Sequence, residues 1–197
     1  MGSREDILAA VRQHNVPPTE LPDLDAPSWV TYADRRAQFA EVLQAAGGQC
    51  VSADDVAAVK AELAKMPVYA EATKVCSLVD GVGSRGVELA SLDDPHQTHD
   101  IDLTIVAGQF AVAENGAVWL TDAAIKHRAM LFLSQHVALV VPAGEIVDNL
   151  HQAYARIEFN EPRFGIFISG PSKTADIEQT LVIGAHGPRS LSVFLVG

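Results

Sequence analysis

The sequence FGIFISGPSKTADIE, residues 164–178, contains the change of pattern that decides how the chain is interpreted. An apolar run ends at Gly170 and Pro171, and apolar residues then recur with helical spacing. These later residues are Ile177, Leu181 and Val182. The pattern predicts a strand over residues 164–168, a tight loop, and a helix with Thr174 as its N-cap. Because the strand is apolar on both faces, it suits a buried position in a parallel or mixed sheet.

The predicted loop has the composition of an anion-binding turn. Backbone N–H groups at the start of a helix point toward one spot, where they attract a negatively charged ligand. We therefore expect a small carboxylate or phosphate to bind there. The residues expected to hold it are Ser169, Gly170, Ser172, Lys173 and Thr174. The alternative is an ordinary strand-to-helix turn in which glycine serves only the backbone conformation.

The same region resembles a known family. The run ISGPSKTADIE at residues 168–178, followed by LVIGAHGP at residues 181–188, resembles the C-terminal signature of the LUD-domain family, in its lactate utilization branch. The family belongs to the fold group of CoA transferases and ribose-phosphate isomerases. The resemblance therefore implies a three-layer α/β fold with a mainly parallel sheet flanked by helices.

Composition limits the classes of protein that fit this chain. It has 197 residues, of which 48% are hydrophobic and 20% charged, and this describes one folded domain with a substantial core. The net charge of −11 opposes non-specific binding to nucleic acid or to an anionic membrane surface. No apolar stretch approaches the roughly 18 residues of a membrane span, and no signal-peptide pattern opens the chain. We expect a cytoplasmic protein without membrane insertion.

Alternating helical and strand patterns indicate the organisation of the rest of the chain. Residues 1–30 are predicted to form a short amphipathic helix and a proline-rich arm, and residues 31–197 the LUD domain. Within the domain, short strands alternate with helices, which predicts an α/β fold with a mainly parallel sheet. The patterns also predict a short strand at residues 68–70 and a helix from Pro142 to about Ile157.

Residues 93–102 hold four aspartates and two histidines. Such a density of oxygen and nitrogen ligands suits zinc or manganese. A solvated polar loop before a strand has the same composition, and it is the preferred interpretation, so no metal site is predicted. Cys50 and Cys76 are isolated, and two cysteines cannot hold a four-thiolate iron–sulfur cluster.

Glu114 is the candidate catalytic residue. It precedes Asn115 and Gly116 in a turn between two apolar runs, where the backbone is expected to need a positive φ. The family's pattern is an acidic residue, one position, then glycine, and Asn115 replaces the threonine common among relatives. The turn resembles the one that carries the nucleophilic glutamate of class I CoA transferases. The resemblance therefore implies a base or nucleophile at Glu114.

Cationic residues complete the predicted site. Arg128 and His136 match family positions, and Arg128 is a candidate for gripping a carboxylate through its guanidinium group. His186 and Arg189 lie in a turn before the last strand. We expect Glu114, the 169–174 loop and this turn to converge at the carboxyl ends of the strands, where open α/β sheets bind ligands.

The resemblance implies a subunit of a system that oxidises L-lactate to pyruvate. Because no cofactor is evident in this chain, iron–sulfur clusters are expected on partner proteins, the iron–sulfur lactate utilization proteins. An acyl-transfer enzyme that uses Glu114 is the alternative, and a non-catalytic anion sensor is a third reading. Whether the chain is catalytic alone, and whether it forms a homo-oligomer, stays open.

Overall fold

The structure of the chain is a computed structural model, and it describes residues 2–14, 19–22, 29–158, 164–175 and 181–197. Six α-helices lie in these ranges, and the predicted proline-rich arm lies partly outside them. They are α1 (Ser3–Gln13), α2 (Arg35–Ala45), α3 (Val56–Lys65), α4 (Pro67–Glu71), α5 (Met130–Leu133) and α6 (Leu150–Arg156).

A five-stranded parallel sheet forms the centre of the domain. Its strands are β1 (Gln49–Ala53), β2 (Val75–Ser77), β3 (Leu103–Ala107), β6 (His136–Pro142) and β11 (Ser190–Val196). Their order is β1-β11-β6-β3-β2, and every neighbouring pair is parallel. This sheet, with helices beside it, confirms the predicted α/β class.

A second, mixed sheet of four strands packs beside the first. Its strands are β4 (Phe110–Val112), β5 (Ala117–Thr121), β7 (Ile146–Val147) and β8 (Gly165–Ile168), in the order β7-β4-β5-β8. The predicted strand at residues 164–168 is thus β8, an edge strand antiparallel to β5 and only partly buried. A separate hairpin pairs β9 (Lys173–Ala175) with β10 (Leu181–Ile183).

The two faces of the parallel sheet bury different elements. On one face, Val106, Leu139 and Val193 pack with Phe39 and Leu43 of α2, in a cluster that also includes residues of the four-stranded sheet. On the other face, Ile105, Val140 and Phe194 pack with Val59 and Leu63 of α3. Side chains alternate between the two faces along each strand, as the period of two requires.

Three predicted elements are wrong. Residues 68–70 lie in helix α4, because Pro67 occupies its first turn, where proline is tolerated. The predicted helix from Pro142 is interrupted by β7, whose Ile146 and Val147 pair with β4, so α6 begins only at Leu150 after the N-cap Asn149. The helix predicted after Thr174 is absent from the described residues, since Thr174 and Val182 pair in the β9–β10 hairpin.

Candidate functional site

Two of the three predicted site segments meet at one edge of the parallel sheet. The backbone N–H of Ser172 donates to the carbonyl of Pro188 at 2.9 Å, and that of Gly184 donates to the carbonyl of Ser172 at 2.9 Å. Residues 184–189 lead directly into β11, and Arg189 donates its N–H to the carbonyl of Gln135 just before β6. This edge therefore carries the amino ends of the parallel strands. The prediction that these segments meet at the carboxyl ends of the strands is wrong.

The 169–174 loop packs on the end of α2 instead of opening a helix. Ser169 Oγ donates to the carbonyl of Asn115 at 2.8 Å. Gly170 has a φ of +72°, and a Cβ there would lie 2.5 Å from the carbonyl oxygen of Ala46. A Cβ at Gly47 would lie 3.7 Å from Cε of Lys173. The exposed side chain of Lys173 therefore passes over the C-terminus of α2. Thr174 lies in strand β9, so within the described residues it is not the N-cap of a helix.

Glu114 lies in the β4–β5 turn beside this loop. Gly116 has the predicted positive φ, +65°. The Glu114 carboxylate is exposed, and its Oε2 accepts from the N–H of Leu150, the first residue of α6, at 2.9 Å. This contact caps α6 and is a structural role. A base or nucleophile role for Glu114 stays a prediction.

Arg128 is held away from Ser169. Its Nε donates to Asp122 Oδ2 at 2.8 Å, and its guanidinium lies 5.0 Å from the centroid of the Phe164 ring. Phe164 precedes β8 and Ser169 follows it, so roughly 16 Å of extended strand separates them. The structure therefore separates the Arg128 guanidinium from Ser169, the first residue of the loop.

The amino edge of the sheet contains a cleft. Its volume is about 420 Å³ and it lies between the starts of β1 and β11 and the end of α3. Its polar lining residues include Gln49, Glu62, Lys65, Ser190 and Ser192. Gly47, which Cε of Lys173 approaches, also lines the cleft. Of the predicted site residues, Lys173 approaches Gly47 of the cleft lining, Arg189 precedes the lining residue Ser190 in sequence, and His186 is exposed in the adjoining turn.

His136 adjoins this cleft through Ser190. The imidazole Nδ1 and Ser190 Oγ are 2.7 Å apart, and their residues are register partners on β6 and β11. Burial lowers the pKa of His136 below its ordinary value of 6.5, the positive charge of Arg189 lowers it further, and Asp102 opposes them. The ring is therefore neutral at pH 7.

The acidic segment at residues 93–102 uses its side chains for structure. Asp94 caps a 3₁₀ turn by accepting from the N–H of His96, and Asp102 accepts from the N–H groups of Thr73 and Lys74. Lys74 also forms an ion pair with Asp100. Among the described residues, no group of three or more histidine, cysteine or carboxylate side chains is arranged to hold a metal ion.

Comparison with known proteins assigns the family. The LUD domain family matches residues 87–196, more than half of the chain and the part that holds β3 to β11. The chain belongs to the LUD domain family. In the described part of this LUD domain protein, no helix has the length and apolar character needed to cross a membrane.

Curated relatives of the LUD domain protein carry a common name. Lactate utilization protein C 1 of Bacillus mycoides is 35% identical over 102 residues, which are 48% of this chain and 43% of that protein. Lactate utilization protein C of Shouchella clausii is 35% identical over 97 residues, 47% of this chain and 42% of that protein. The chain thus covers less than half the length of these relatives.

A solved structure shares the fold of the LUD domain protein. The crystal structure of a duf162 family protein from Deinococcus radiodurans aligns with a TM-score of 0.61 over 86% of this chain and 100% of that chain. Sequence identity is 20%, so the likeness establishes the α/β architecture alone.

Sequence reasoning missed Ser190 and the cleft. The signal was present, because Ser190 and Ser192 place hydroxyls on one face of an otherwise apolar strand. The order of the strands was needed to see that this face meets His136 and Gln49, and no local pattern specifies that order.

Proposed function

We propose that this LUD domain protein acts in a lactate utilization system. The observation that carries the proposal is the identity of about 35% to proteins named lactate utilization protein C. The expected reaction of that system is the oxidation of L-lactate to pyruvate. This chain has only Cys50 and Cys76, and burial raises the pKa of both thiols, so neither favours the thiolate form that ligates iron. We therefore assign electron transfer to iron–sulfur partner proteins.

The part of this chain is to bind a small anion at the amino edge of the sheet. We assign the positive charge to Lys173, whose Cε approaches Gly47 of the cleft lining, and to Arg189, which precedes the lining residue Ser190 in sequence. Because the net charge of the protein is −11, a small carboxylate or phosphate needs such local cations. Guanidinium and ammonium groups are the side chains that recognise such anions. These two cations, and not the helix N-terminus predicted from the sequence, attract the anion.

Copurification tests the partner assignment. The tagged full-length protein is isolated from cells of its own host grown on L-lactate and, separately, on glucose. We expect iron-containing proteins to copurify from the lactate culture, with iron and acid-labile sulfide in the eluate. If the lactate eluate has no more iron than the glucose eluate, the iron–sulfur partners are excluded.

Binding is tested by a titration of the ¹⁵N-labelled protein with L-lactate, pyruvate and inorganic phosphate. We expect at least one of them to shift the amide signals of Lys173 and Arg189, and Arg189→Gln to weaken the binding about tenfold. Lys60→Gln, which removes an exposed cation of α3, is the matched control and is expected to bind like wild type. If none of the three anions shifts signals at this edge, the binding proposal fails, whatever the growth phenotype.

A further inference from the structure

Ser190 joins the cleft to an imidazole. It is the first residue of β11, it lines the cleft, and its Oγ is 2.7 Å from Nδ1 of His136 on the neighbouring strand. Both residues lie on the face of the sheet that packs on α3. His136 is two positions before Ala138 in β6, and Ser190 is two positions before Ser192 in β11, so each side chain shares the face of that neighbour. The hydroxyl therefore lies between the imidazole and the open space of the cleft.

The histidine is suited to take a proton. With its ring proton on Nε2, Nδ1 accepts the hydrogen bond of the Ser190 hydroxyl. Half burial and the charge of Arg189 keep the ring neutral, as its lowered pKa indicates. A serine within hydrogen-bond reach of a neutral imidazole is the arrangement of a nucleophile and its base.

The charges around the pair are of both signs, and the ion pair of Glu62 with Lys65 lines the same cleft. Arg189 immediately precedes Ser190, and its charge acts on His136. The one carboxylate that acts on this imidazole, Asp102, is already held by Thr73 and Lys74.

We propose that Ser190 and His136 form a nucleophile–base pair that accepts an acyl group from a small carboxylic ester or thioester bound in the cleft. Ser190 Oγ bonds to the carbonyl carbon while Nδ1 of His136 takes the hydroxyl proton. The bond from that carbon to the leaving oxygen or sulfur then breaks, and the imidazolium returns its proton to the leaving group. Water attacks the acyl-serine in the same way, which releases the carboxylic acid and restores Ser190.

Acylation by 4-nitrophenyl acetate tests the pair on the full chain. We expect release of 4-nitrophenol together with an acetyl group that peptide mass spectrometry locates on Ser190. Ser190→Ala abolishes this acetylation. His136→Asn keeps an acceptor near the position of Nδ1 but cannot take a proton, so we expect acetylation to slow by about 100-fold while the melting temperature stays close to wild type.

Ser91→Ala is the matched control, because the Ser91 hydroxyl donates to the carbonyl of Glu88 and Ser91 is not among the residues that line the cleft. It is expected to acetylate at the wild-type rate. The acetylation rate should also rise with pH to a plateau. The midpoint of this rise should lie below pH 6.5, because the pKa of His136 is lowered. Acetyl groups found only on lysines, or an unchanged rate in His136→Asn, would overturn the proposal. Site mapping on the wild-type protein decides the matter even if Ser190→Ala does not fold.

Discussion

At the residue scale, Asp148 holds the segment before α2 against the second sheet. Its side chain is 1% exposed and accepts from the N–H of Tyr32 and from Nε and Nη2 of Arg35 at 2.8 to 3.0 Å. These bonds lower the pKa of Asp148, with the Arg35 hydrogen bond as the largest cause. The carboxylate is thus ionised, and both of its oxygens accept hydrogen bonds within the fold.

We expect Asp148→Ala to reduce the free energy of unfolding by about 2 to 3 kcal/mol, because several donors lose a charged acceptor. Urea unfolding followed by circular dichroism measures the change. Asp54→Ala removes an exposed carboxylate and is expected to stay within about 0.5 kcal/mol of wild type. Equal losses in the two variants would show that the Asp148 contacts do not stabilise the fold.

Glu114 allows its capping and catalytic roles to be separated. Glu114→Ala removes the acceptor for the Leu150 N–H and should cost about 1 kcal/mol of unfolding free energy, whereas Glu114→Gln keeps an oxygen there and should cost less. Growth on L-lactate supplies the second readout. If Glu114→Gln is stable but abolishes growth, capping is not its only role. If growth is unchanged, Glu114 is neither base nor nucleophile.

At the element scale, the close contact between the 169–174 loop and the end of α2 depends on Gly170. Its φ is +72°, and a Cβ added there would lie 2.5 Å from the carbonyl oxygen of Ala46, so both the backbone and the neighbouring helix oppose a side chain. We expect Gly170→Ala to lower the unfolding free energy by more than about 2 kcal/mol.

Gly83→Ala is the matched control for this contact. Gly83 has a similar φ of +84°, but a Cβ there meets nothing within 4 Å. It should therefore show only the backbone cost, about 1 kcal/mol. If thermal and urea unfolding rank the two variants equally, the loop does not pack on α2 as described.

The elements that sequence patterns predicted wrongly are those whose state depends on pairing. Ile146 and Val147 fit the apolar stripe of a helix, but they pair with β4, and the Asn149 cap shows locally where α6 begins. Thr174, Val182 and Ile183 are β-branched and pair in a hairpin, which their spacing alone concealed. By contrast, β6 and β11 were predictable because both are apolar runs bounded by turn residues.

At the scale of the whole molecule, stability should fall with acid in two steps. The lowered pKa of His136 means that the unfolded chain binds its proton first, so stability declines as pH falls through 6.5. The lowered pKa of Asp148 means that its contribution is full above the unfolded value of 3.8 and is lost below it. Urea titrations between pH 3 and 8 should show both steps, with the first absent in His136→Asn and the second reduced in Asp148→Asn. A His136→Asn curve identical to wild type would contradict the assignment.

The location of the site was the least predictable property of the molecule. The α/β class and the resemblance of residues 168–188 follow from local sequence, but the edge that carries the loops depends on the strand order β1-β11-β6-β3-β2. The last strand of the chain lies between β1 and β6, so the turn that precedes it lies at the amino edge of the sheet, next to His136. Long-range pairing of this kind leaves no local signature.

The most direct test of the role in lactate utilization is growth of a strain that lacks this gene, with L-lactate as the only carbon source. We predict that the strain fails to grow on L-lactate, grows normally on glucose, and recovers on lactate when the wild-type gene is restored. Normal growth of the deletion strain on L-lactate, in a host without a second lactate-oxidising system, would contradict the proposed function.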